Sequence, residues 1–592
     1  MSALVGFHGL RGDAAPAQRL RELAGEDGPR AAGDGWMIAA VGGGTLPGDD
    51  APVEIRAGDV TRGLLSGRLF DSADGRRDHR CRDPLPLDWA APRGELARRR
   101  WGRYAAAAVR PDGALVLIRD PIGLLPLFYA PHGTGHVFAT RMELLVELLG
   151  RRPGFDWEHL GSFMTRGPGP TDRTAFQGVA QLSPGEVVQI ADGRTTSEPL
   201  WDPVAACADG DAPSPDEVRH ALLDCTRAWL AEAESVALDL SGGLDSSSVC
   251  WAARNSVADE AALHGRFVRF PLGASVDERP AAERVARFLR TPLTIVDAAD
   301  RLPLAPTKGR LPRADAPQLQ YAEARLNEVL AEEAGPGAEA LSGGAGDQLF
   351  LMRSTPGYHA DHLLGGGLGA GHVLGGLREL WRESTLAERS LPALLAEVGT
   401  ETARRIRGGT AIPDGMLDAP RPAWLAPDSP PSPLRLPDGI DGLSAARAFQ
   451  LTGILYWGDA VDREHRNPHR PSVYPMLSQP LVELALRAPM RSLVGHRGDR
   501  LLLRDAMAGT LPRAVVDGRS KGSYAGMYQH SLRLHRDLCR ELILDGRCVA
   551  NGLVDPGPAL EDLQRTALGF TRGPNWPLYS LLSVEMWCQT WN

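Results

Sequence analysis

The sequence predicts a two-domain α/β protein: a strand-rich first part, then a parallel sheet interleaved with helices, ending in a mostly helical stretch. Three observations carry this. At 592 residues the chain is too long for one ordinary core. Up to about residue 200, short apolar or alternating runs such as 36–41 and 114–118 are broken by Gly, Asp and Pro turns. After a polar Asp/Ala/Pro-rich linker over 206–215, helix and strand patterns alternate, as a parallel sheet requires. The expected domains are 1–205 and 206–592.

The second domain reads element by element. Val218, Ala221, Leu222, Cys225 and Trp229 share one helical face. A strand ending at Leu240 precedes a helix from Ser246. A strand around 267–270, a helix over 281–289 and a strand at 293–296 follow. A long helix across 318–333 leads to a last short strand at 338–341. Helices are expected on both faces of this sheet. Ligands bind at the carboxyl ends of such strands, where Ser241 and Ser342 both lie. Beyond residue 350 helices dominate, interrupted by a Gly-rich stretch at 365–371 and a Pro-rich one at 413–437. For those two, a lid or substrate-binding role stands beside that of a plain solvated connection.

Composition narrows the function classes. With 43% hydrophobic and 23% charged residues, the chain is that of a soluble globular protein. A net charge of −9 gives no electrostatic footprint for nucleic acid, and no basic run marks a membrane surface. No apolar run reaches transmembrane length, and the start lacks signal-peptide character. Seven scattered cysteines, an odd number, argue against a disulfide framework or a metal cluster. A cytoplasmic protein without nucleic-acid or membrane partners is expected.

The run Leu238 to Ser248 (Leu-Asp-Leu-Ser-Gly-Gly-Leu-Asp-Ser-Ser-Ser) is a strand emptying into a Gly-rich turn that opens a helix. Its amides, hydroxyls and helix N-terminus suit an anion, and Asp245 stands where a phosphate-bound metal needs a carboxylate. No Gly-Lys-Ser/Thr follows, so this is not a Walker loop. It resembles the pyrophosphate-binding loop of ATP pyrophosphatases, which form AMP.

Further segments make the resemblance specific. Residues 341–350 (Leu-Ser-Gly-Gly-Ala-Gly-Asp-Gln-Leu-Phe), the stretch from Trp457 through Glu464-His465-Arg466, the run 474–483, Asp499-Arg500-Leu501-Leu502-Leu503-Arg504 and Arg519-Ser520-Lys521-Gly522 resemble the markers of the asparagine synthetase family. Residues 101–105, 119–129 and 138–141 are similar to that family's glutaminase domain. The resemblance implies an N-terminal Ntn-hydrolase-like αββα domain and a C-terminal ATP-pyrophosphatase-type synthetase domain. It also implies ATP and Mg²⁺ as cofactors. Ser241, Gly243, Ser246 and Ser247 would hold the phosphates, with Ser342 beside them, and Asp245 and Asp347 the metal. Leu240, Phe270 and Gly343 would bracket adenine. An N-cap role accounts for either aspartate alone, but their joint placement at two strand ends favours the metal role. Glu464 would manage the proton of the attacking amine, and Lys521 would stabilise charge on the transition state.

Departures from the family decide the branch. The glutaminase nucleophile is an N-terminal cysteine, and Ser2 stands in its place, so ammonia supply is expected to be absent or feeble. Gly344 replaces an acidic residue, Leu477-Ser478 replaces Leu-Asp, and 467–473 looks like an insertion. No tyrosine lies in the second loop, unlike β-lactam synthetases. The whole looks most like the lasso-peptide cyclases. These would adenylate an Asp or Glu side chain of a leaderless precursor peptide and close a macrolactam with its N-terminal amine. Expected partners are the precursor peptide, a leader peptidase and a leader-binding protein. The alternative is an asparagine-synthetase-like or β-lactam synthetase acting on a small molecule.

Overall fold

Two stacked, largely antiparallel sheets dominate the first 200 residues. The computed structural model describes residues 2–592 apart from 11–13, 26–27, 43–50, 72–78, 88–98, 168, 209–211, 258, 260–261, 271–276, 336, 353–356, 360, 362–369, 387–389, 407–420, 428–432, 462–471, 496–497, 519–524 and 572–573. The strands are β1 (Ala3–His8), β2 (Arg30–Gly33), β3 (Trp36–Val41), β4 (Val53–Ala57), β5 (Val60–Asp71), β6 (His79–Arg80), β7 (Leu85–Pro86), β8 (Arg100–Val109), β9 (Leu115–Arg119), β10 (Phe128–His132), β11 (Gly135–Ala139), β12 (Ala180–Gln181), β13 (Glu186–Ala191) and β14 (Arg194–Pro199). One sheet has the order β12-β10-β11-β1-β3-β2, the other β14-β13-β9-β8-β5-β4-β7, with β6 paired to β5. Alternate residues such as Leu4, Ile38, Leu64, Ala107, Leu117 and Phe138 meet between the sheets in one core.

Helices α1 (Ala14–Ala24), α2 (Met142–Leu149) and α3 (Trp157–Arg166) share a second core with the outer face of the six-stranded sheet. Much of the outer face of the other sheet is covered. Ile55, Leu65, Phe70, Trp101 and Tyr104 join a core that continues into the second half of the chain.

That half is built on α4 (Pro215–Leu230) and a parallel sheet. Ser214 and Glu217 form a reciprocal capping box at the start of α4. Strands β15 (Ser235–Asp239), β16 (Leu263–Arg269), β17 (Leu293–Asp297) and β18 (Ala338–Leu341) alternate with α5 (Leu244–Arg254), α6 (Arg279–Leu289) and α7 (Ala324–Ala334). The order is β17-β16-β15-β18, all parallel. The chain thus steps outward from β15 to β17 and then returns to the other side of β15. A ligand crevice opens where strand order reverses, between the carboxyl ends of β15 and β18. β16 begins earlier than its apolar residues suggest, because Arg266 is buried there against Asp239 at 2.7 Å. The helix expected across 318–333 starts as a 3₁₀ turn, Leu319–Glu323.

The helical remainder includes Ala370–Leu386, Leu391–Ile406, α8 (Ala445–Ala460), α9 (Gln479–Arg487), α10 (Leu501–Met507) and α11 (Trp576–Thr590). α11 returns to the first domain, where the Trp587 ring packs at an angle on Phe155 and edge-on against Phe176, at 5.2 and 5.4 Å. Most of the Gly-rich stretch and much of the Pro-rich stretch lie outside the described residues. The described parts of the latter are anchored. Trp424 is buried and donates to Asp562, and Arg435 pairs with Glu186. Among the described residues, no helix is long and apolar enough to cross a membrane.

Candidate active site

The first loop leaves β15 at Asp239 and enters α5 at Leu244. Leu240 is buried and its amide donates to the Arg266 carbonyl at 2.8 Å, which extends the pairing of β15 with β16. Ser246 Oγ accepts from the Ser241 amide at 3.3 Å, lies 3.0 Å from Ser241 Oγ and donates to the Gly243 carbonyl at 3.3 Å. These bonds fold the turn back on the helix start. Gly243 is the N-cap of α5 and has no side chain to satisfy the first amides, so the helix N-terminus keeps its anion-binding donors. Ser247 is fully buried; its amide donates to Gly243, and its Oγ makes no hydrogen bond among the described residues.

The second loop follows β18. The Ser342 amide donates to the Val473 carbonyl at 3.0 Å, and Ser342 Oγ accepts from the Gly344 amide at 3.2 Å. Ala345 takes a left-handed φ of 69° and starts a single helical turn that carries Asp347. The two loops touch. A Cβ on Gly343 would lie 2.6 Å from the Ser246 backbone, and one on Gly346 would lie 2.5 Å from Asp245 Cγ. Glycine at both positions lets the loops close on each other.

That closure puts two carboxylates side by side. Arg500 Nη1 donates to Asp245 Oδ2 at 2.8 Å and to Asp347 Oδ1 at 2.7 Å, with all three side chains largely buried. Burial opposes the charge on Arg500, but Asp245, Asp347 and Asp499 outweigh it, and its pKa is raised. One cationic atom thus lies within hydrogen-bond distance of both aspartates. Among the described residues no cluster of three or more His, Cys, Asp or Glu forms a metal cage. Two carboxylates nevertheless fit magnesium, which is commonly held by one or two carboxylates with phosphates and water. Arg500 belongs to a run the sequence marks out, yet nothing in the sequence gives it a partner.

The structure brings Leu240, Ser241, Gly243, Asp245, Ser246, Ser247, Ser342, Gly343 and Asp347 to the two touching loops. Phe270 stands half-buried one residue past the end of β16. Glu464 and Lys521 lie outside the described residues, as do 467–471 of the insertion-like segment. Gly344 faces two aromatic rings: a Cβ there would lie 3.2 Å from both Trp457 and Tyr474. In the first domain Ser2 is buried directly before β1, its Oγ 3.4 Å from Ser66 Oγ.

The asparagine synthase family matches residues 217–589, and the glutamine amidotransferase domain family matches 94–201. Amidase chry2 of Gibberella zeae is 28% identical over 201 residues, covering 31% of this chain and only 29% of that protein's length. The solved structure of the allosteric regulatory enzyme of purine biosynthesis overlaps 51% of this chain and 81% of its own at 12% identity, with a TM-score of 0.21. The structure of glutamine-dependent NAD⁺ synthetase from Acinetobacter baumannii in complex with ADP overlaps 25% of this chain and 32% of its own at 16% identity, with a TM-score of 0.13. The two family matches and the sheet topology give a two-domain α/β fold, with a glutamine amidotransferase domain ahead of an asparagine-synthase domain.

Proposed function

Since this chain belongs to the asparagine synthase family and carries that family's ATP-dependent carbon–nitrogen ligase domain, we propose that it cyclises a peptide by forming an isopeptide bond. The observation that carries the adenylation step is the convergence of Asp245 and Asp347 on one cation position beside an uncapped helix N-terminus. In the proposed reaction an Asp or Glu side-chain carboxylate of a leaderless precursor peptide attacks the α-phosphorus of ATP. Its oxygen bonds to phosphorus, the α–β phosphoanhydride breaks, and pyrophosphate leaves. The peptide's neutral N-terminal amine then attacks the acyl carbon, AMP leaves, and the amine proton passes to a base. Ser241, Gly243, Ser246, Ser247 and Ser342 hold the phosphates, and Leu240, Phe270 and Gly343 flank the adenine. Glu464 takes the proton and Lys521 offsets developing charge. Magnesium held by Asp245 and Asp347 would neutralise the leaving pyrophosphate.

Two features support a substrate that carries its own amine. By family resemblance Ser2 stands for the nucleophilic cysteine, and its hydroxyl, buried beside Ser66, has none of the thiolate character that role needs near neutral pH. Trp457 and Tyr474 wall Gly344 where the family has an acidic residue, so position 344 itself offers no carboxylate to a free amino acid's ammonium. A leader peptidase and a leader-binding protein would deliver the peptide. The match to an amidotransferase domain favours the second reading, amidation of a free small carboxylate.

Incubation with ATP, Mg²⁺ and a leaderless peptide bearing an internal Asp or Glu separates the two. The expected result is pyrophosphate release and a peptide mass lowered by one water. Turnover of free aspartate with ammonia or glutamine, and none of the peptide, overturns the cyclase.

A further inference from the structure

Resting on the adenylation site just proposed, we infer that Arg500 is a resident counter-cation that holds the nucleotide-free site shut to free divalent metal. Asp245 and Asp347 stand in the first turns of the helical segments that follow β15 and β18. The backbone packing of Gly343 on Ser246 and of Gly346 on Asp245 fixes the two loops together. Two carboxylates held that close and largely out of water repel each other, and a shared cation relieves the repulsion.

Arg500 is aimed for this by its own backbone. It has a left-handed φ of 51°, and its amide donates to the carbonyl of Leu351, itself at φ 62°. The same Nη1 serves both aspartates, while Nε lies 3.6 Å from Asp499. Asp499 is in turn held by Arg504, whose Nη1 reaches the carbonyls of Val516 and Gly518 at 2.5 and 2.8 Å. Arg500 is therefore mounted on a braced support and positioned like a ligand-held cation.

The two carboxylates attract a divalent ion, but the guanidinium bonded to both must leave first. Arriving alone, metal must drive Arg500 off both carboxylates and leave it to Asp499. Arriving on a polyphosphate, metal brings an anion that receives the guanidinium. Metal binding is thereby coupled to nucleotide binding, and Arg500 is a positioning residue for that order of events.

Titration of the full-length protein with Mn²⁺ alone, followed by electron paramagnetic resonance, tests this without turnover. Arg500→Gln is expected to bind Mn²⁺ about tenfold more tightly than wild type in the absence of nucleotide, a coupling of ordinary size. Adding Asp245→Asn to that variant should abolish the gain. Arg500→Lys, which keeps the charge, should stay near wild type and also serves if the glutamine variant fails to fold. Equal, Asp245-dependent Mn²⁺ affinity in wild type and Arg500→Gln overturns the counter-cation role alone. A gain in Arg500→Lys equal to that in Arg500→Gln does the same. Mn²⁺ binding indifferent to Asp245, with or without a non-hydrolysable ATP analogue, overturns the metal site itself.

Discussion

Ser246 and Ser247 are neighbours on one helical turn, and their hydroxyls are used in opposite ways. Ser246 Oγ holds the turn through Ser241 and Gly243, so Ser246→Ala is expected to cost about 1 kcal/mol of stability. Ser247 Oγ is buried and makes no hydrogen bond among the described residues, so Ser247→Ala should leave the melting temperature unchanged or slightly higher. If that hydroxyl serves the nucleotide, calorimetric titration with a non-hydrolysable ATP analogue will show the lost bond to a charged group. That bond is worth about 1.5–3 kcal/mol, or about tenfold or more in affinity. Unchanged affinity removes Ser247 from the site. At this scale the loop was legible because glycines, hydroxyls and Asp245 fall within a few residues of one another. Arg500 was not, since its carboxylate partners lie 255 and 153 residues away along the chain. Chemistry that depends on such a distance has no local pattern.

Elements show a similar division. The strands and helices from Val218 to Leu341 follow from apolar runs and turn residues, because each is a local choice. Their neighbours are not: that β18 pairs with β15, creating the crevice, depends on which side of the sheet the last crossover takes. The register of the two loops is set by Gly343 and Gly346. Gly343→Ala forces a methyl against the Ser246 backbone, which has no rotamer to yield. It is expected to destabilise by about 1–3 kcal/mol in urea unfolding and to abolish pyrophosphate formation. Gly344→Ala meets side chains of Trp457 and Tyr474 at 3.2 Å, which adjust by small rotations, and should be milder on both measures. Equal penalties would mean that loop contact does not set the register.

Across the whole molecule the two domains share cores rather than touch at a rim. Phe70 and Trp101 of the sandwich close on Trp229 of α4 at 4.9 and 5.7 Å, and Arg68 reaches Glu339 of β18 at 2.5 Å. The segment 119–129, legible in the sequence only as a family marker, has a physical reason here. Asp120 accepts the amides of Ile122, Gly123, Leu124 and Leu125, which rolls the chain into a tight turn. Arg119 donates to the carbonyls of Gly123, Leu125 and Leu182 and then crosses to Asp459 of α8 at 2.8 Å, with both side chains buried. Removing one partner of such a pair leaves a buried charge and costs about 3–5 kcal/mol, more than any surface contact contributes. Arg119→Leu also strands three carbonyls, whereas Asp459→Asn leaves Arg119 bound to all of them and keeps a neutral acceptor. Arg119→Leu should therefore lower stability more than Asp459→Asn. It should also split a single calorimetric transition into two as the sandwich loses its hold on the helical half. A single transition in Arg119→Leu, shifted no further than in Asp459→Asn, would show that the aromatic core alone joins the domains.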